Sequence, residues 1–240
     1  MVNRRHPDER IGSIRREDNN WAGPKVAQKF VVENAETAFP AIILAGGLSR
    51  RMGGGDKCLL PLAGRPILAH VIERIRPQVT VLALNANGDA TRFAGFALPV
   101  VADDAADFAG PLAGILAALD WARRAHPSAS AVLTVPADTP FLPRDLAARL
   151  AVAGAPAVAA SAGRIHPVVG FWPLALEAGL RKALREEGLR KVEDWTARLR
   201  PAVVDFGPVD FKPLDFARGP VDPFFNVNTS EDLARAEALL

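Results

Sequence analysis

From Pro40 onward the chain alternates short apolar runs with longer stretches in which apolar residues recur every three or four positions. Runs over 41–45, 79–84, 98–102, 131–136 and 155–160 are apolar at successive positions, which predicts strands buried on both faces, as in a parallel sheet. Between them, 66–76, 111–124 and 143–153 carry a helical period, and each opens on a proline. Proline suits the first helical turn because the N–H it lacks would have no partner there. Strand, helix and strand in this rhythm imply right-handed crossovers that put helices on both sides of the sheet. The predicted fold class is therefore α/β, a three-layer α/β/α sandwich around a mostly parallel, Rossmann-like sheet. Beyond residue 160 the pattern is less regular, with a strand over 166–171, helices over 174–187 and 190–199, and a last helix from Glu231. Substrate-specific surface is expected there.

Residues 1–38 break this rhythm: apolar positions are sparse, Arg, Asp, Glu and Asn are interspersed, and no period persists. They predict a flexible N-terminal extension ahead of one domain over 39–240, with a short partner-binding arm or an early start codon as alternatives. With 240 residues and 49% of them hydrophobic, the chain can bury one substantial core. A net charge of +2 without runs of one sign argues against a nucleic-acid or membrane surface. The single cysteine, Cys58, excludes an internal disulfide, and without a Cys/His cluster there is no zinc site to propose. No apolar stretch has the roughly 20 residues of a membrane span, and no signal-peptide core is present, so a cytoplasmic protein is expected.

The most informative segment is 41–57, where the first strand runs into a loop with glycines at 46, 47, 53, 54 and 55 and the cations Arg50, Arg51 and Lys57. Glycine lets backbone N–H groups approach an anion closely, and Arg and Lys supply the countercharge, so the loop is suited to a polyphosphate. It is not a P-loop, because Lys57 is followed by Cys58 where Ser or Thr would reach magnesium. Nor is it the dinucleotide fingerprint, since residues 46–51 lack the third glycine. A glycine-rich turn with solvated basic residues is the plain alternative, but ligands in open α/β sheets sit beyond the carboxyl ends of strands, where this loop lies.

Residues 44–57 resemble the signature loop of the molybdenum cofactor guanylyltransferases, the MobA family of the nucleotidyltransferase superfamily. Further segments resemble the family in its order: 110–114 (Gly-Pro-Leu-Ala-Gly), 138–143 (Asp-Thr-Pro-Phe-Leu-Pro), 164–167 (Arg-Ile-His-Pro) and 226–233 (Asn-Val-Asn-Thr-Ser-Glu-Asp-Leu). The similarity spans about 40–240 and implies a fold of the nucleotide-diphospho-sugar transferase type. It also implies transfer of GMP from GTP to the terminal phosphate of molybdopterin or Mo-molybdopterin, with release of pyrophosphate and with Mg2+ as cofactor. Such a protein is expected to act as a monomer, with transient contacts to molybdoenzyme chaperones or cofactor-insertion proteins.

Several polar residues follow predicted strands in a chain rich in alanine and valine: Asn85, Asp103 and Asp138. Magnesium needs few protein carboxylates, so one or two aspartates beside Lys57 would be enough. Helix capping and turn formation are their ordinary roles. The resemblance implies Asp138 as the metal ligand, Lys57 and Arg51 on the triphosphate, and the backbone of Leu44, Ala45, Gly46 and Gly47 on the nucleotide, with the base near 44–46. It further implies Asn85 and Asp103 at the nucleotide. Asn226 and Asn228 alternate with Val227, so in an extended segment both amides face one side as ligand contacts. Thr229 or Ser230 would cap the last helix. Residues 110–114 could aim a helix N-terminus at phosphate or simply start a helix. His166 could touch the pterin or fill a core hydrogen bond. Cys58 could be made acidic by its cationic surroundings, but it reads better as a small packing residue. Three other readings share features of this one: a cytidylyltransferase using CTP, a sugar-phosphate nucleotidyltransferase, and a non-catalytic nucleotide or pterin carrier. Against CTP stands Leu-Ala-Gly-Gly at 44–47, where cytidylyl relatives more often have Leu-Ala-Ala-Gly.

Overall fold

The computed structural model describes residues 39–46, 56–103, 110–207 and 221–240. The expected extension over 1–38, together with Gly47, Arg50 and Arg51, lies outside them. In chain order the elements are β1 (Pro40–Leu44), β2 (Pro61–Leu62), β3 (Arg65–Pro66), α1 (Ile67–Ile75), β4 (Val81–Asn85), β5 (Val100–Val101), α2 (Pro111–Ala125) and β6 (Ala131–Pro136). They continue with α3 (Leu146–Ala153), β7 (Ala157–Ser161), β8 (Arg164–Pro173), α4 (Glu177–Arg185), α5 (Val192–Leu199), β9 (Ala202–Asp205) and α6 (Ser230–Leu239).

Seven strands form one sheet in the order β5-β4-β1-β6-β8-β7-β9. β1 is parallel to β4 and β6, β4 to β5, and β7 to β9, whereas β8 runs antiparallel to both β6 and β7. The mostly parallel sheet is as expected. The reversal at β8 has a local cause: only Ala162 and Gly163 separate it from β7, both at positive φ (47° and 75°), the geometry of a two-residue hairpin. Ala63 and Gly64 (φ 49° and 77°) do the same between β2 and β3.

Alternate residues of each strand enter opposite cores. Ala41, Ile43, Leu82, Leu84, Leu133 and Val135 pack with Leu68, Val71 and Ile75 of α1 and Leu146 and Leu150 of α3. Ile42, Ala83, Val132 and Trp172 pack on the other face with Ile115 and Leu119 of α2, Leu180 of α4 and Trp195 of α5. This two-sided burial explains why the strands read as unbroken apolar runs. In the second core the indole N–H of Trp172 donates to Thr134 Oγ1 (2.9 Å), which donates to the Val168 carbonyl (2.8 Å). Gly170 leaves room for that indole: a Cβ there would lie 2.2 Å from Trp172 Cζ2.

Some expected boundaries move. Pro66 ends a hairpin strand and the helix begins at Ile67; the helix expected over 143–153 starts at Leu146; the strand expected over 98–102 shrinks to Val100–Val101. β9 and the β2–β3 hairpin were not anticipated. Asn85 is the last residue of its strand and not the residue after it.

The register aligns the carboxyl ends of the parallel strands. Leu44 stands opposite both Asn85 and Pro136, and Asn85 opposite Val101. One rim therefore carries the ends of β1, β4, β5 and β6.

Candidate active site

A cleft of about 430 Å³ opens above this rim, lined by Leu44 at the end of β1 with Ala45 and Gly46 after it, Asn85 at the end of β4 with Asn87 after it, Asp103 after β5, and Ala137 and Asp138 after β6. The strand ladder continues one residue into it. Ala45 N–H donates to the Asn85 carbonyl (2.8 Å), Ala86 N–H to Val101 (3.0 Å) and Ala137 N–H to Leu44 (3.0 Å), so the first loop residues are as fixed as the sheet. Gly110 and Pro111 bring the amino end of α2 to the cleft wall, where its partial positive charge favours an anion. Gly114, one turn on, is required by packing: a Cβ would lie 2.7 Å from Asn85 Oδ1 and 3.0 Å from Leu44 Cδ2.

Lys57 opens a single 3-10 turn (Lys57–Leu59) and crosses the cleft. Its ammonium donates to Asp138 Oδ2 at 3.0 Å and to Asn228 Oδ1 at 2.6 Å, with both charged side chains about one-fifth exposed (19% and 20%). The Asn-Val-Asn segment is tied to the same place. Val227 N–H donates to the Asp138 carbonyl (2.9 Å), Thr139 Oγ1 donates to Asn226 Oδ1 (2.9 Å), and Val227 itself is buried. The Asn226 side chain thus meets the residue after Asp138, while the Asn228 side chain meets the ammonium of Lys57. The helix cap is present as well: Thr229 Oγ1 accepts from Asp232 N–H and Asp232 Oδ2 from Thr229 N–H, both at 3.1 Å.

Across the cleft, Asp103 is held by two amides. Asn85 Nδ2 donates to its Oδ1 (2.8 Å) and to the Val101 carbonyl (3.1 Å); Asn87 Nδ2 donates to its Oδ2 (2.7 Å), and Asn87 Oδ1 accepts from Asp103 N–H (2.9 Å). Asn87 and Thr139 were missed in the sequence. Asn87 stands two residues after Asn85, the spacing that puts two side chains of an extended chain on one face, and this signal could have found it. Thr139 left no comparable signal.

The two residues of uncertain role fall into place. Cys58 is buried, and burial, with Asp56 and Asp138 nearby, pushes its thiol up to about 12, so it is a neutral packing residue and not an acidified nucleophile. His166 does not line the cleft. Its ring lies against Phe224 (centroids 4.6 Å apart), and Nε2 is 2.8 Å from Ser161 Oγ, which donates to Asp222 Oδ1 (2.7 Å). Ser161 has one O–H, so the bonding pattern assigns the proton on His166 to Nε2.

Burial lowers the His166 pKa below its ordinary 6.5, against the opposing pull of Asp222 and with Arg164 adding to the drop. The ring's contribution to stability is thus complete above the unfolded value, roughly 6.5, and is lost as pH falls through the lower folded value. Thermal melts from pH 8 to pH 5 should show a smaller loss of Tm for His166→Gln than for the unsubstituted protein. His70, lowered chiefly by burial, keeps part of the dependence in both.

Among the described residues no three His, Cys, Asp or Glu side chains gather to hold a metal. One carboxylate, Asp138, with the amide oxygen of Asn228 beside it does not make a resident cage. It does fit a hard divalent cation that takes its remaining ligands from water and phosphate.

The model of the MobA-like NTP transferase domain matches residues 41–200. The chain belongs to the MobA-like NTP transferase family. This MobA-like chain is 54% identical over 207 residues to the molybdenum cofactor guanylyltransferase of Rhodopseudomonas palustris (strain BisB5), covering 84% of itself and 94% of that protein. Its fold is shared by molybdopterin-guanine dinucleotide biosynthesis protein A of Archaeoglobus fulgidus, at TM-score 0.59 and 23% identity, over 83% of this chain and 97% of that one. It is shared too by the Rv0371C protein of Mycobacterium tuberculosis H37Rv in complex with manganese, at TM-score 0.56 and 20% identity, over 83% and 97%.

Proposed function

We propose that this protein transfers GMP from GTP to the terminal phosphate of molybdopterin or Mo-molybdopterin. The observation that carries the reading is the Lys57–Asp138 pair at the mouth of a cleft built on the strand ends, in a chain about half identical to guanylyltransferases of the molybdenum cofactor.

In this reading the base lies along Leu44, Ala45 and Gly46, and the ribose side along Asn85 and Asp103. The phosphates run toward Lys57 and the amino end of α2; Gly47 and Arg51, which the resemblance assigns to the nucleotide and its triphosphate, lie outside the described residues. A phosphate oxygen of the pterin forms a bond to the α-phosphorus of GTP while the bond from that phosphorus to the bridging oxygen breaks, its electron pair leaving with pyrophosphate. The nucleophile is already an anion, so no residue has to remove a proton. The chain's work is to align the two phosphates and offset the charge on them. Asp138 with Asn228 would hold Mg2+, which supplies charge neutralisation at the phosphates when bound. Asn226 and Asn228 are assigned to ligand contacts beside it.

GTP is favoured over CTP by the space at Gly46. Among the described residues a Cβ there would meet only Asn85 Oδ1, at 3.9 Å, an ordinary contact. The missing side chain leaves that room to the larger base. Purified protein given molybdopterin, Mg2+ and either GTP or CTP should form a dinucleotide and pyrophosphate with GTP. Product from CTP alone would replace the guanylyl assignment with a cytidylyl one, and tight nucleotide binding without pyrophosphate would make the protein a carrier. Among the described residues no helix is long and apolar enough to cross a membrane.

A further inference from the structure

We propose that Arg92 is a positioning residue for nucleotide transfer, a strut that sets Lys57 in register with the Asn85–Asp103 side of the cleft. The inference rests on the reading of the cleft as a nucleotide site.

Arg92 lies in a 3-10 segment (Ala90–Phe96) whose start is capped by Asp89, with Thr91 N–H donating to Asp89 Oδ1 at 2.9 Å. Its guanidinium is committed on three sides. Nε donates to Asp56 Oδ2, Nη1 to the Asp89 carbonyl, and Nη2 to the Asn87 carbonyl at 2.7 Å. The turn at Gly88 (φ 79°) lies between those two carbonyls, and both accept from the one planar group. Below it, the buried Phe93 ring lies 4.5 Å from the guanidinium carbon.

Both ends of this strut adjoin the cleft while the strut stays out of it. Asp56 immediately precedes Lys57, and Asn87 is the residue whose amide grips Asp103. Lys57, Asn87 and Asp103 line the cleft, but Asp56 and Arg92 do not. Arg92 is therefore placed to act on a bound nucleotide through the groups it holds. One rigid fork ties Asp56, the residue before Lys57, to Asn87, whose amide holds the Asp103 carboxylate. A lysine could keep the charge but could not span Asp56 and two carbonyls at once.

The test compares Arg92→Ala, Arg92→Lys, Asp56→Asn and the double variant Arg92→Ala/Asp56→Asn. Equilibrium binding of GMP and GTP, thermal melts and dinucleotide formation are measured for each. If Arg92 places Lys57, GTP loses more affinity than GMP, so the preference for the triphosphate falls about tenfold, the worth of a displaced charge-assisted bond. Turnover falls about 100-fold, the usual cost of reacting groups moved by about an ångström. The double variant should be no worse than Arg92→Ala, because the two residues act as one pair. Arg92→Lys should be only partly rescued. Equal weakening of GMP and GTP would overturn the proposal, since loss of local structure would act that way. So would an unchanged preference for GTP, or effects of Arg92 and Asp56 that simply add. If the unsubstituted protein prefers CTP, the same ratio is read with CMP and CTP. If it binds nucleotide but forms no dinucleotide, the transfer reading fails while the binding ratio still decides the role of Arg92.

Discussion

Asp138→Ala is expected to lower dinucleotide formation about 1000-fold, the scale on which enzymes lose rate when a group aimed at developing phosphate charge is removed. The fold should survive, for a specific reason. The tie between this stretch and the Asn-Val-Asn segment is the bond from Val227 N–H to the Asp138 carbonyl, which does not involve the side chain. A second tie, from Thr139 to Asn226, is also untouched. Thermal melts should therefore stay close to those of the unsubstituted protein while pyrophosphate release falls with dinucleotide formation. Asp138→Asn separates charge from shape: it keeps a side-chain oxygen near Lys57 but supplies no anion for a divalent cation, so its activity should resemble that of the alanine variant. Excess Mg2+ should restore neither. Turnover within threefold of normal in Asp138→Ala would remove the carboxylate from the reaction.

How much of this site the sequence disclosed depends on whether a residue's role is local. The strands on the rim were legible because two-sided burial leaves an unbroken apolar run, and Asn85, Asp103 and Asp138 stood out as polar residues against it. Lys57 was legible from its glycine-rich surroundings. The partners that fix these groups were not. Arg92 lies 36 residues from Asp56, and Thr139 lies 87 from Asn226, so nothing in local composition announces either contact. The fold shows the same division. β8 was expected as a strand, but its reversed direction depends on a two-residue turn at Ala162 and Gly163, and alanine gives no warning of a positive φ. β9 was missed because it is an edge strand of four residues in which only alternate positions are part-buried. Geometry turned His166, like Cys58, toward structure: its neighbours Ser161, Asp222 and Phe224 occupy it away from the cleft.

The ion pair between Lys57 and Asp138 and the metal role proposed for Asp138 are set against each other by the geometry of the cleft. Lys57 already neutralises Asp138 Oδ2 at 3.0 Å, so a divalent cation approaching that carboxylate meets a positive charge in place. Lys57→Met removes the charge and keeps much of the stem's bulk. Its two effects should have opposite signs. Without nucleotide, a divalent ion should bind the variant more tightly, because the ammonium that competes for the carboxylate is gone. With nucleotide and acceptor present, turnover should fall about 1000-fold, because the triphosphate has lost a fixed positive partner. Titration with Mn2+ followed by electron paramagnetic resonance reads the first effect, and single-turnover pyrophosphate release reads the second. Lys57→Arg tests whether charge alone is enough. One ammonium nitrogen now serves both Asp138 and Asn228, at 3.0 and 2.6 Å, whereas a guanidinium is broader and would push those partners apart. It should bind the triphosphate but recover only part of the rate. If Lys57→Met instead weakens Mn2+ binding, the carboxylate and the ammonium do not compete and Asp138 is not the cation's ligand. If it turns over at the normal rate, Lys57 serves only to hold Asp138 and Asn228 in place.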